Sequence, residues 1–333
     1  MPDRPHPRFN FFIQGRLEPE IASILEKGWE AGLESGLVRY DPRESECVVA
    51  PPFRYHYLPQ RAGRPGARKT PRPPPEGLRV PHAPCPFDGE SFVAERELAR
   101  FTREGQVYHL TANRYPVTPR HFLLVRSSSA PEEQLSQYLQ APEEVEDMLR
   151  VQAMVGPPYR AYFNSNRGAD NSQSGSSLNH WHFQIFWYPG EYDSPLLRLP
   201  TALRKEECGL SIEEVAEWPA RHILVEADHE RIAQVARVLW ERLRRLNDLN
   251  VAYNVEVTPL GGNRFRAFLF ARHPGPDRIL PGAGSLSPDF GGWELSGDIV
   301  IPTAEVLRWI RDHPGEATRL TTERLEETTR PCL

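Results

Sequence analysis

Apolar positions along the chain switch repeatedly between a helical and a strand period. Residues 19–35 carry Ile21, Ile24, Leu25, Trp29 and Leu33 at helical spacing, with Pro19 suited to a first turn and Gly36 to a stop. Further on the period shortens. Residues 107–112 and 121–125 read as strands, parted by a turn that holds Pro116 and Pro119. Residues 143–155 read as a helix and 161–164 as a strand; after a run of small polar residues, 165–177, the segment 179–187 reads as the next strand. The same succession then returns. A strand is expected at 222–225, and a helix at 230–246 with Ile232, Val235, Leu239, Leu243 and Leu246 on one side. Strands at 251–258 and 265–271 and a final helix at 303–312 complete it. Strands with helices set between them, twice over, predict an α+β protein of two related lobes, each an antiparallel sheet with packed helices.

The expected organisation is an N-terminal helix and basic Pro/Arg-rich arm over 1–86, a lobe over 87–200 and a second lobe over 201–333. Within the first of these, residues 50–86 are rich in Pro, Arg and Gly and read as irregular. The chain holds 34 prolines, in keeping with long connections. Between Pro51 and Pro75 there is no Asp or Glu, while Arg54, Arg61, Arg64, Arg68, Lys69 and Arg72 fall there. Such a run is either a solvated linker or an arm that reaches a polyanionic small molecule. The whole chain carries 45 acidic and 40 basic residues, a net charge of −5 that gives no reason to expect nucleic acid as a partner. Cys47, Cys85, Cys208 and Cys332 are scattered, with no CxxC pair, which suits a reducing compartment. The N-terminal residues lack the apolar run of a signal peptide, and no stretch has the length of a membrane span, so a cytoplasmic protein without a membrane partner is expected.

The chemistry concentrates between Asn164 and Trp187. In an extended segment His180, His182 and Gln184 point to one side while Trp181, Phe183 and Ile185 point to the other. The second set is what a core requires; the first places two imidazoles and an amide over a common space. Three readings fit. The polar side could be a solvated sheet face, although the Gly/Ser loop just before it would then be a coincidence. Both histidines could bind zinc, with Cys85, Asp88 or His82 as a third ligand. Or the side could carry phosphoryl chemistry, the reading preferred here. Imidazole is both nucleophile and leaving group near neutral pH, provided one nitrogen attacks while the other keeps its proton against an acceptor such as a backbone carbonyl. Charge that builds on phosphate oxygens needs donors fixed in advance. Ser174, Gly175, Ser176 and Ser177 offer amides and hydroxyls, and Gln184 offers a neutral amide on the same side as His182.

At these residues the chain resembles a known family. His180-Trp181-His182-Phe183-Gln184 matches the HxHxQ motif of the transferase branches of the histidine-triad superfamily. Those branches include galactose-1-phosphate uridylyltransferase, diadenosine tetraphosphate phosphorylase (ATP adenylyltransferase) and the GDP-hexose phosphorylases. The resemblance implies a HIT-like fold, a nucleotidyl intermediate on His182, a phosphate contact from Gln184, a supporting role for His180, and transfer rather than hydrolysis. Leu110 to Val117, with Asn113-Arg114-Tyr115-Pro116-Val117, followed by His121-Phe122-Leu123-Leu124-Val125, is similar to the diadenosine tetraphosphate phosphorylase pattern and implies that Asn113 helps hold the nucleoside. Asn164-Ser165 and then Gly175-Ser176-Ser177 follow that family's order, with extra residues, 166–173, inside the loop. Pro86-Phe87-Asp88-Gly89 and Trp293-Glu294-Leu295-Ser296-Gly297 resemble the GDP-hexose phosphorylases more closely. In the family the second lobe helps bind remote phosphates, which makes Asn254 and Arg266 candidates. Cys85 with Asp88 resembles an incomplete form of the zinc CxxC of some relatives, so zinc is not expected. No cofactor is required by this reading, although a divalent cation such as magnesium could accompany the nucleotide.

The expected activity is therefore nucleotidyl transfer to inorganic phosphate. Diadenosine tetraphosphate plus phosphate, giving ATP and ADP, is the first choice; GDP-hexose plus phosphate is the second. A nucleotide-binding protein without turnover and a zinc hydrolase are the rival classes.

Overall fold

The computed structural model describes residues 21–60, 96–103, 106–127, 137–165, 174–175, 180–188, 194–273 and 290–331 in full, and the backbone alone of 8–10, 19–20, 279–280 and 284–285. Helix α1 (Pro19–Glu34) comes early, between strand β1 (Arg8–Asn10) and the hairpin β2 (Glu46–Ala50) and β3 (Phe53–Tyr57). Then come β4 (Ala99–Arg103), β5 (Gln106–Ala112), β6 (Phe122–Ser127), helix α2 (Pro142–Val155), β7 (Tyr159–Asn164) and β8 (His182–Trp187). The next set is β9 (Thr201–Glu207), β10 (Leu210–Val215), β11 (Ile223–Asp228), helix α3 (Ile232–Asp248), β12 (Tyr253–Gly261) and β13 (Arg264–Arg272). After a two-residue ladder, β14 (Ile279–Leu280) with β15 (Gly284–Ser285), the chain ends in the short helix α4 (Gly292–Leu295), β16 (Asp298–Ile301), α5 (Ala304–Asp312), α6 (Pro314–Thr328) and β17 (Thr329–Arg330).

One 12-stranded sheet runs through the molecule in the order β1-β4-β5-β6-β8-β7-β12-β13-β11-β10-β9, with β17 also paired to β13. Counted inward from β4 on one side and from β9 on the other, β4-β5-β6-β8-β7 and β9-β10-β11-β13-β12 are the same arrangement. Each set places its helix between its third and fourth strands. The recurrence of pattern along the sequence is thus a recurrence of topology. The two sets meet edge to edge where β7 pairs antiparallel with β12, from Asn254 opposite Asn164 to Val257 opposite Ala161. This join leaves neither inner strand with an open row of backbone donors and acceptors.

Helices α1, α2 and α3 cover one face of the sheet, and Trp181, Phe183 and Ile185 enter that core with Ile21, Leu25, Trp29, Val145, Met148, Val235 and Leu239. Burial of this continuous apolar layer is the main drive to the fold. The opposite face carries a third layer over the second set of strands. There β16, β3 and β2 form a small sheet which, with α5 and α6, packs Phe53, Tyr55, Ile299, Val306 and Leu325 against Leu224, Phe268 and Phe270.

Three expectations need correction. The irregular arm assigned to 50–86 contains strand β3, in which fully buried Phe53 and Tyr55 alternate with Arg54 and His56. Flanking prolines hid that alternation; the rest of the arm, 61–86, lies outside the described residues. Arg54 is not a cation held out for a ligand, because it is buried against Asp298, with Nε 2.7 Å from the carboxylate. The helix of residues 303–312 is not the last: after it, α6 begins at Pro314, which suits a first turn. Strands β2, β4, β9, β10 and β16 were not foreseen.

Candidate functional site

Strand β8 alternates as its sequence demands. His182 and Gln184 lie on the face away from the helices, and buried Phe183 and Ile185 lie on the helical side. On the same face as His182 the neighbouring strands present a polar row: Thr111 and His109 from β5, Tyr162 and Asn164 from β7, Asn254 and Glu256 from β12.

The His182 ring is locally fixed. Its Nδ1 lies 2.7 Å from the carbonyl of His180, which can only accept, so Nδ1 carries the proton and Nε2 carries the lone pair. The His180 ring is held in turn, its Nε2 2.9 Å from the carbonyl of Arg126. The backbone of His182 is held by a side chain that sequence reasoning missed. Gln137 is fully buried, accepts from the His182 amide at 2.8 Å, and donates to the carbonyls of His182 at 2.7 Å and Asn164 at 3.0 Å. Its carboxamide stands in for a strand where β7 and β8 diverge. No spacing rule marks it, since it lies ahead of α2 and far from the motif. Gln184 is half-buried, and among the described residues its side-chain amide makes no hydrogen bond.

The mouth of the loop is fastened to the second set of strands. Asn254 Nδ2 donates to Asn164 Oδ1 at 2.7 Å and to the carbonyl of Ser174 at 2.8 Å. Asn164 Oδ1 also accepts from the amide of Gly292 at 3.0 Å. Ser165 Oγ accepts from the Tyr253 amide at 2.8 Å, and the Ser174 hydroxyl donates to the Ser165 carbonyl. Gly175 has φ +80, and a Cβ there would stand 2.7 Å from the Cα of Gly291, so the loop lies directly against the turn before α4. Asn164, Ser165, Ser174 and Asn254 therefore come together as one brace. Ser176 and Ser177 lie outside the described residues.

Asn113 sits at the turn after β5, where its Oδ1 accepts from the Tyr115 amide at 2.9 Å and its amide nitrogen lies 3.0 Å from His121 Nε2. Arg266 is not brought to this group. It is on β13, three strands from β8, with its Nε 2.9 Å from Glu226. A buried network missing from the sequence reading borders the other end of β8. Tyr162 donates to Glu256 at 3.0 Å, Ser296 hydrogen-bonds the same carboxyl, and the Arg160 guanidinium lies 3.8 Å over the Tyr188 ring. Burial drives the Glu256 pKa up despite Arg160 and these donors. The signal for it was present as polar residues at alternate positions of otherwise apolar strands.

Among the described residues no group of three or more His, Cys, Asp or Glu side chains could hold a metal ion; His82, Cys85 and Asp88 lie outside them. No helix among the described residues is long and apolar enough to cross a membrane.

No protein-family model and no curated protein matches the chain. Solved structures do. The crystal structure of yeast Ap4A phosphorylase Apa2 superposes with a TM-score of 0.65 at 18% identity, over 95% of this chain and 96% of that one. The same yeast enzyme in complex with AMP gives 0.65 at 17% identity, covering 95% and 98%. In complex with Ap4A it gives 0.63 at 18%, covering 95% and 99%. The α+β, HIT-like architecture expected from the HxHxQ motif is therefore the fold of this chain along nearly its whole length.

Proposed function

We propose that the protein is a nucleotidyltransferase of the phosphorylase type, with His182 as its nucleophile. In the first step Nε2 attacks the α-phosphorus of a nucleoside polyphosphate; a P–N bond forms and the bridging P–O bond breaks. In the second step an oxygen of inorganic phosphate attacks the same phosphorus and His182 leaves. Two in-line displacements give ping-pong kinetics and net retention at phosphorus. The observation that carries the reading is the 2.7 Å contact between His182 Nδ1 and the His180 carbonyl, which aims the basic nitrogen away from the backbone and stabilises the charged ring after attack. Gln184, with the amides and hydroxyls from Ser174 through Ser177, would stabilise the oxygens of the transferred group, and Asn113 the nucleoside. Arg266 would act on remote phosphates only by leaving Glu226. The scheme needs no metal at the nucleophile; a magnesium ion would travel with the polyphosphate.

Diadenosine tetraphosphate plus phosphate, giving ATP and ADP, is the preferred reaction. It is supported by the run from Asn113 to Val125 and by the fold shared with a phosphorylase solved with that dinucleotide. A GDP-hexose is favoured by one observation of its own: the segment from Trp293 to Gly297, which resembles the GDP-hexose phosphorylases, begins two residues after Gly291, which packs directly on Gly175. A phosphorolysis screen of diadenosine tetraphosphate, GDP-glucose, GDP-mannose, ADP-glucose and UDP-glucose separates the two by the diphosphate released. Incubation with α-labelled nucleotide should leave label on the protein. Phosphorolysis without any labelled protein would sink the covalent route; neither turnover nor label would leave a binding protein.

A further inference from the structure

The small sheet carries a second cluster of a thiol, an imidazole and an orienting carboxylate. Cys47 on β2 is directly opposite His56 on β3, so their side chains share a face at the distance of a cross-strand pair. His56 Nε2 lies 2.9 Å from Asp298 Oδ1, which leaves Nδ1 as the ring nitrogen for the sulfur across the strand pair. Asp298 is almost wholly buried and is fixed by Arg54, whose Nη2 donates to Oδ2 at 2.8 Å. Strand β2 is the edge of its sheet, and Cys47 is exposed. Burial alone would lower the pKa of His56, but the hydrogen bonds to Asp298 and Cys47 outweigh it and push the value up to about 9. The ring is therefore an imidazolium at neutral pH. A cation and an N–H donor beside an accessible sulfur are the setting in which cysteines react.

We infer that Cys47 is a reactive-thiol site that takes up low-molecular-weight disulfides, with the His56 imidazolium stabilising its thiolate and Asp298 as the residue that orients His56. The Cys47 proton passes to water, and the thiolate is held beside the imidazolium. The sulfur attacks one sulfur of the disulfide; a new S–S bond forms and the old one breaks. The departing thiolate takes a proton, from the imidazolium or from water. Cys47 is oxidised to a mixed disulfide as the other half of the reagent is reduced to a thiol.

The molecule contains its own reference. Cys208 is also exposed, at the turn between β9 and β10, and lines a surface recess with Arg231 and Arg237 but no imidazole. If nearby cations sufficed, the two thiols would react alike. The folded full-length protein is treated with glutathione disulfide near pH 7.5, and adducts at each cysteine are followed by peptide mass mapping. Cys47 should be modified at least about tenfold faster than Cys208. His56→Gln should bring Cys47 to within about threefold of Cys208 while the Cys208 rate, a check on folding, stays the same. Equal rates in the unaltered protein would overturn the site, as would an unchanged ratio in a folded His56→Gln protein. If that variant does not fold, the ratio in the unaltered protein decides alone.

Discussion

The two halves of the sheet share a strand order and differ in what joins their last two strands. In the second half β12 passes to β13 through a tight turn, with Gly261 at φ +84 and Gly262 at φ +58. In the first half β7 and β8 are separated by the long connection that contains Ser174, Gly175 and His180. The strands downstream differ in the same sense. Phe268 and Phe270 of β13 are buried beneath the small sheet, whereas β8 presents His182 and Gln184 at the equivalent face of the sheet. One half has filled its face with a third layer; the other has kept a polar row and a loop above it.

A pair of histidines sharpens the contrast. His182 and His222 both hold Nδ1 2.7 Å from the carbonyl two residues earlier. In His222, however, Nε2 accepts from the Val215 amide at 2.9 Å, so its lone pair is spent on the fold. The same local clamp recurs at both rings; under the proposed function it would serve chemistry at His182, whereas at His222 it serves the fold.

The division can be broken most severely at His182. Replacement by Ala should lower kcat by about ten-thousandfold or more while the melting temperature changes little; more than about a per cent of residual turnover would argue against the covalent route. The reciprocal change, Phe268→Ala, should cost about 3–5 kcal/mol in denaturant melts and leave the turnover of the folded fraction unaltered. His222 predicts a pH signature. Burial lowers its pKa from 6.5 to about 4, so the folded protein keeps the ring neutral where the unfolded chain protonates. Its contribution is complete above pH ~6.5 and is lost as pH falls towards 4, by about 3 kcal/mol in all. Stability measured between pH 7 and 4.5 should fall less steeply in His222→Gln, and a slope identical to the parent would exclude this source. The smallest effect is expected at Gly175→Ala, where the left-handed backbone and the contact with Gly291 resist a methyl group. About 1–2 kcal/mol of stability should be lost, with kcat reduced several-fold.

Much of this plan was legible because burial imposes period on sequence. The alternation in β8 and the stripe of α3 both name their faces, and the core confirms each of them. Strand β3 was lost among its flanking prolines, although its hairpin partner β2 is next to it in the chain; its other partner, β16, lies far along. Gln137 was invisible for another reason. It acts through backbone groups brought close only by folding, and backbone groups leave no mark in residue type. Asn164 and Asn254 were singled out as possible ligand contacts. Their side chains are instead turned on each other and on the loop, a distinction that rests on geometry rather than composition.

The seam between β7 and β12 has a practical corollary. Each half, cut free near Pro200, would end in a raw edge of unmet amides and carbonyls, and the first half would also lose the Asn254 peg that pins its loop. Two such fragments, produced apart and then mixed, have every incentive to find each other along that edge. On the proposed function the half without the histidine pair would act as a splint, and activity regained on mixing would record this seam closing together with the β3–β16 ladder.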